Sequence, residues 1–105
     1  MKFGTATYQK LPVGWRFQDT PSHGYLYPAY QHNENVPSFI RSQSYEEDCA
    51  FHIPVYFNPE LFTKETWENS KQSFKDWFPK EFEKATGTIL SKGESTLKDD
   101  YYFKR

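Results

Sequence analysis

The segment between Thr63 and Gly87 constrains the fold most, because it predicts two consecutive helices that share one aromatic face. Thr63 suits the start of the first helix, which we expect over residues 64–78, and Pro79 forces a kink or a restart. Gly87 suits the left-handed conformation that ends many helices. The apolar positions lie on one side: Trp67, Phe74, Trp77, Phe78, Phe82 and Ala85. We therefore predict an amphipathic helical pair packed against a core.

Composition sets the size of that core and the kind of partner. The 105 residues suffice for one domain, which we expect to span residues 1–105. Only 36% of them are hydrophobic while 20% are aromatic, so a few rings must supply most of the burial. With 13 basic and 14 acidic residues, the formal net charge is -1. The chain therefore has no excess positive charge with which to bind phosphate backbones or anionic lipid. We therefore expect neither direct nucleic-acid binding nor a membrane partner.

Short extended segments complete the predicted architecture. High β propensity and turn residues predict strands at residues 3–8, 15–17, 25–27 and 88–90, with a final strand or tether at 101–103. The polar residues 31–35 predict an exposed loop. Asn58 and Pro59 predict one helical turn with asparagine as its cap. Together these elements predict an α+β fold, in which a short antiparallel sheet packs against two or three helices.

The residues around the single cysteine can be interpreted in two ways. Ser44 and Glu47 have the spacing of a capping box, which predicts a helix from Tyr45 with three acids in its first turn. Pro54 disfavours helix before it, so we expect an end near residue 52 or 53, followed by extended chain. The alternating apolar residues 49, 51, 53, 55 and 57 would instead fit a strand. We favour the helix.

Cys49 and the histidines are the candidates for chemistry. His23 or His52 could act as a base for the thiol, but neighbouring acids oppose a thiolate, and a buried structural cysteine is the favoured interpretation. Cys49, His52, His23 and one acid could hold zinc, or the acids alone magnesium, but the paired ligand spacing of metal sites is absent. We predict no metal and no cofactor.

The turn at residues 19–25 also carries a serine, a histidine and an acid. Ser22 and His23 with Asp19 or Asp48 would supply the residue types of a hydrolase triad, but no nucleophile elbow accompanies them. We favour a structural latch, in which His23 contacts an acid at positions 46–48. Exposed tyrosines are good interface anchors. The candidate binding residues are Ser22, His23, Tyr25, Glu46, Glu47, Asp48, Tyr101 and Tyr102.

An ordered set of motifs resembles a small uncharacterised domain of bacterial plasmid and phage proteins. The motifs are DTPSHGYL at 19–26, SYEEDC at 44–49, NPELFT at 58–63, WFP at 77–79, TG at 86–87 and GES at 93–95. The resemblance extends from residue 15 to residue 103, and Pro54 departs from relatives that look more uniformly helical after the cysteine. The resemblance implies an origin in a mobile genetic element. It identifies no catalytic residues, because the family has no assigned reaction.

From this resemblance we expect a small binding protein that inhibits a host defence complex, of the anti-restriction or anti-CRISPR kind, by protein–protein contact. We expect the partner to be a host protein, such as a defence enzyme that handles nucleic acid, and this chain to be a monomer or homodimer. The alternative is a small hydrolase or metal-dependent enzyme that uses His23, Cys49 and the acids at positions 46–48. The lone cysteine and the absence of an apolar leader predict a location in the host cytoplasm.

Overall fold

A computed structural model describes residues 11–100, so the predicted strands at residues 3–8 and 101–103 lie outside the described residues. Within this range the fold is α+β, with one three-stranded antiparallel sheet and five helices. The elements are β1 (Arg16–Asp19), β2 (Gly24–Tyr27), α1 (Tyr30–Asn33), β3 (Tyr45–Glu46), α2 (His52–Tyr56), a 3-10 turn (Pro59–Leu61), α3 (Lys64–Trp77), α4 (Pro79–Thr86) and α5 (Thr96–Lys98). The predicted fold class is confirmed.

The sheet has the order β1-β2-β3 and two distinct faces. Phe17 pairs with Leu26, and Leu26 pairs with Tyr45, so these three side chains share one face. Leu26 and Tyr45 are buried in the core. Because side chains alternate along a strand, the residues on either side of Leu26 in β2 point to the opposite face. That opposite face carries the candidate site described below.

The predicted helix from Tyr45 is wrong, since Tyr45 and Glu46 form strand β3. Their backbone pairs with Leu26 and Tyr25, and the N–H of Glu47 donates to the carbonyl of Gly24 at 2.9 Å. The side chain of Tyr45 is buried, and its hydroxyl donates to Asn33 Oδ1 at 2.6 Å. Pairing with β2 thus satisfies backbone groups that a capping box would otherwise have satisfied, and it buries a large ring as well.

Helix α2 begins at His52, after a turn at residues 47–51, and it contains Pro54. The predicted helix end near residue 52 and the extended chain after it are therefore wrong. Pro54 lies in the first turn of α2, where a backbone N–H has no partner within the helix, so its missing donor costs nothing there. Ile53, Pro54 and Val55 are all buried, which ties this short helix to the core.

The amphipathic pair forms nearly as predicted. The side chain of Thr63 accepts a hydrogen bond from the N–H of Thr66 and caps α3, Pro79 starts α4, and Gly87 ends it with φ of 76°. Phe74 and Phe82 lie in the core, with ring centroids 5.2 Å apart. Trp77, by contrast, remains 45% exposed at the end of α3. The predicted aromatic stripe therefore packs at its centre and not along its whole length.

Residues 31–35 are part of a hydrogen-bonded unit and not a simple exposed loop, because residues 31–33 belong to α1. Asn58, predicted as a cap, makes no capping bond. Its fully buried amide instead donates to the carbonyls of His32 and Pro54 and accepts from Asn35 Nδ2 at 2.6 Å. A buried amide stabilises the fold when its groups are paired in this way, and here it joins α1 to α2.

Residues 88–90 form no strand in the described chain. Leu90 is buried there, and its N–H donates to the carboxylate of Glu83 at 2.8 Å. Lys98 Nζ contacts the same carboxylate and donates to the carbonyl of Leu90. Side chains of α4 and α5 thus satisfy backbone groups that the predicted strand would have paired. Among residues 11–100, no helix combines the length and apolar character needed to cross a lipid bilayer.

Candidate protein-binding site

The sheet face opposite the core, here called the outer sheet face, brings several predicted binding residues together. It consists of Arg16, Gln18, Tyr25, Tyr27 and Glu46, which the strand register places on one side. Arg16, Gln18 and Glu46 are exposed, while the two tyrosines are half-buried. The face therefore has an aromatic centre, a cation at one end and a carboxylate at the other.

The carboxylate end is extended by the turn between β1 and β2. Thr20 holds this turn: its N–H and hydroxyl both donate to the carbonyl of His23, and the N–H of His23 donates to the Thr20 hydroxyl. His23 Nδ1 then lies 3.5 Å from Glu46 Oε2, with about half of each side chain exposed. The predicted contact between His23 and an acid at positions 46–48 is confirmed.

Gly24 allows two further carboxylates to approach this corner of the sheet. A Cβ atom at position 24 would lie 2.5 Å from Glu47 Oε1 and 3.1 Å from Asp19 Oδ1, and it would also overlap the ring of Phe17. The position is thus filled by neighbouring side chains. Because Gly24 shares its face with Leu26, these two carboxylates lie on the side opposite the outer sheet face. We therefore call only the exposed acids Glu46 and Asp48, from β3 and the turn after it, the acidic end.

The His23 contact adds little to stability, because both groups are largely in water. Exposed ion pairs of this kind contribute about 0 to 1 kcal/mol. The two segments are joined in any case by the backbone pairing of β2 with β3. Stability therefore gives no strong reason for the His23–Glu46 pair.

Cys49 is poorly suited to nucleophilic chemistry. Burial raises the pKa of its thiol, and the carboxylates of Asp48 and Glu46 raise that pKa further. A raised pKa reduces the fraction of thiolate, which is the reactive form. Cys49 lies in the turn before α2 and not on a helix with His52, so the helical spacing that suggested a shared ligand pair does not apply.

His52 faces Ser70 of α3, with Nδ1 and Oγ 3.0 Å apart. Burial lowers the pKa of His52 to about 4, so its ring is neutral at pH 7. A serine beside a neutral histidine has two of the residue types of a hydrolase, but Ser70 is only 1% exposed and a substrate could not reach it. This pair serves as a hydrogen bond between α2 and α3.

The described residues contain no ligand cluster for the metal-dependent form of the enzymatic alternative. Within residues 11–100, no group of three or more histidine, cysteine, aspartate or glutamate side chains is arranged to hold a metal ion. Ser22 is exposed on the turn beside His23. Tyr101 and Tyr102 lie outside the described residues. The structure thus brings together Tyr25, His23 and the acidic end.

Sequence reasoning missed Arg16. Its Cζ atom lies 4.1 Å from the centroid of the Tyr27 ring, a cation–π contact across β1 and β2. The signal that could have identified it is alternation: Arg16 and Gln18 are polar while Phe17 is apolar. That pattern becomes informative only once residues 16–19 are recognised as a strand beside Tyr27.

Comparison with known proteins gives one match. The model of a family described as a domain of unknown function, DUF7007, matches residues 5–105. No curated protein matches the chain, and no solved structure does.

Proposed function

We propose that this chain, which belongs to the DUF7007 family of unknown function, is a binding protein. It contacts a basic protein surface through its outer sheet face and acidic end. The observation that carries this proposal is the clustering of exposed charge around half-buried tyrosines on one side of the sheet. Tyrosines flanked by polar groups are typical of protein interfaces.

The kind of partner follows from the charges. Glu46 and Asp48 are both exposed at this corner, so it presents negative charge although the whole chain is nearly neutral. Such a corner attracts lysine- and arginine-rich surfaces and repels phosphate backbones. This supports a protein partner over a nucleic acid.

The resemblance to plasmid and phage proteins extends the proposal to a biological role. A mobile element benefits from blocking host defence nucleases, and the surfaces by which those enzymes hold nucleic acid are basic. We propose that the acidic end occupies such a surface and inhibits a restriction or CRISPR complex stoichiometrically in the host cytoplasm. The raised pKa of Cys49 and the inaccessible Ser70 support this binding role over the enzymatic alternative.

The test uses the two exposed acids of the acidic end. The double variant Glu46→Gln, Asp48→Asn keeps side-chain size and a hydrogen-bonding group beside His23 while removing two charges. We expect it to bind the partner captured from bacterial cytoplasmic extract about tenfold or more weakly than wild type, mainly by slower association. Raising the salt concentration should weaken wild-type binding and change the variant much less.

The matched control is Glu60→Gln with Glu68→Gln, which removes two exposed acids elsewhere. Circular dichroism checks that all variants are folded, and size-exclusion chromatography with light scattering measures the stoichiometry. Equal partner binding by the acidic-end variant and by the control would show that the acidic end makes no contact.

A further inference from the structure

A small pocket opens at the other end of the outer sheet face, around Arg16. It has a volume of about 290 Å³ and is lined by Gly14, Arg16, Tyr27, Pro28, Tyr30, Asn33 and Gln43. Ligand pockets for small molecules usually measure about 300 to 1,000 Å³, so this one lies at the lower limit. Its size suits one or two side chains of a partner better than a cofactor or a nucleotide.

Arg16 is the group that gives this pocket a chemical preference. Its Cζ atom lies 4.1 Å from the centroid of the Tyr27 ring, and this cation–π contact uses none of the five N–H donors as a hydrogen bond to an acceptor atom. Arg16 is exposed, and no carboxylate lies within ion-pair distance of it among residues 11–100. A positioned arginine with no acid beside it in the described part of the chain is suited to a carboxylate, which it binds through two parallel hydrogen bonds.

The other lining residues shape the pocket. Gly14 has φ of 90°, and a Cβ atom there would lie 3.0 Å from Ala29 Cβ, so glycine keeps this wall close to the strand end. The amide of Asn33 is already used, since it donates to the carbonyl of Ser42 and accepts from the Tyr45 hydroxyl. Tyr30 is 77% exposed at the rim, where it adds apolar area for a partner side chain.

We propose that the Arg16 pocket binds an aspartate or glutamate side chain of the protein partner, so that the partner segment is basic at one end and acidic at the other. This inference rests on the proposed function and adds the polarity of the partner. A polyanion is disfavoured because the Glu46 carboxylate lies on the same face as the pocket.

The sheet geometry predicts the spacing of those two partner residues. Arg16 pairs with Tyr27 and Glu46 pairs with Tyr25, so they lie two strand spacings apart across the sheet and two residues apart along it. This corresponds to about 10 Å across and about 7 Å along, or about 12 Å in all. An extended peptide covers about 13 Å in four residues, and residues four apart point to the same side. The partner motif is therefore a basic residue and an acidic residue at positions i and i+4.

The experiment uses the full chain labelled with ¹⁵N and two blocked peptides, acetyl-KGGGE-amide and acetyl-KGGGQ-amide, at millimolar concentration. We expect chemical-shift changes at Arg16 Nε–H and at Tyr25 and Tyr27. We also expect about tenfold tighter binding of the glutamate peptide. In Arg16→Gln this preference should vanish, Arg16→Lys should keep only part of it, and the control Lys64→Gln should retain it in full.

The outcomes separate this inference from the proposed function. Equal binding of both peptides, with loss of both in Glu46→Gln, Asp48→Asn, would overturn the pocket and leave the acidic contact intact. If Glu46→Gln, Asp48→Asn binds the glutamate peptide with the affinity and the preference of wild type, the result would support the pocket and count against a contact at the acidic end. Inorganic phosphate that displaces the glutamate peptide and binds Arg16 more tightly would overturn the carboxylate assignment, as would the absence of shifts with either peptide.

Discussion

Replacing Phe74 by alanine is expected to lower the free energy of unfolding by about 3 to 5 kcal/mol. Phe74 is fully buried in the last turn of α3, and its ring contacts those of Tyr56, Phe57 and Phe82 at centroid distances of 5.2 to 5.9 Å. Removal of the ring leaves a cavity that three aromatic neighbours can fill only partly. Equilibrium urea denaturation of the full chain, followed by tryptophan fluorescence, measures the change.

The control is Trp77→Ala, three residues further along the same helix. Trp77 is 45% exposed, so its loss should cost much less, about 1 kcal/mol. Since domains of this size are stable by about 5 to 15 kcal/mol, the Phe74 variant should lose a large part of its stability and the control should not. Similar losses for the two variants would contradict the packing described here.

Acidification from pH 6.5 to pH 4 is expected to remove roughly 3 kcal/mol of stability through His52 alone. Burial holds the pKa of His52 at about 4 in the folded chain, against 6.5 as its ordinary value. Between pH 6.5 and pH 4 the His52 ring is therefore protonated in the unfolded state and neutral in the folded state. The free energy of unfolding falls as the pH falls. This contribution is fully present above pH 6.5.

The variant His52→Gln isolates this contribution, because other groups also titrate in the same range. We expect its unfolding free energy to depend less on pH than that of wild type between pH 6.5 and pH 4. The control Asn69→Gln, at an exposed position of α3 without a titratable group, should retain the wild-type slope. Parallel profiles for wild type and His52→Gln would show that His52 is not held neutral by burial.

The acidic end and the Arg16 pocket make the outer sheet face a bipolar surface. His23 contacts Glu46 at one end, and Arg16 stacks on Tyr27 at the other. Neither contact is needed to hold the sheet together, since the backbone pairs along β2 do so. A face with charges that the fold does not require is well suited to select a partner by charge.

Part of this site could be predicted from the sequence. The part that could not be predicted is the one that depends on the register of the strands. His23, Tyr25 and Glu46 were recognised as candidates from residue type and local motif. Their common face, and the place of Arg16 on it, depend on which residues of β1 and β3 pair with β2. A shift of one residue in that pairing would move every side chain to the other face, and local sequence does not fix it.

Local sequence signals are sufficient to predict the helices over residues 64–86 and the α+β class. The signals there are local: the Thr63 cap, Pro79, the left-handed Gly87 and a 3.6-residue apolar period. The strand at Tyr45 and Glu46 depends on tertiary pairing. A helix started by the capping box and a strand paired with β2 would use the same backbone donors, so the local pattern alone does not distinguish them. The strand forms because it also buries the Tyr45 ring in the core. That favourable burial requires residues distant in the sequence.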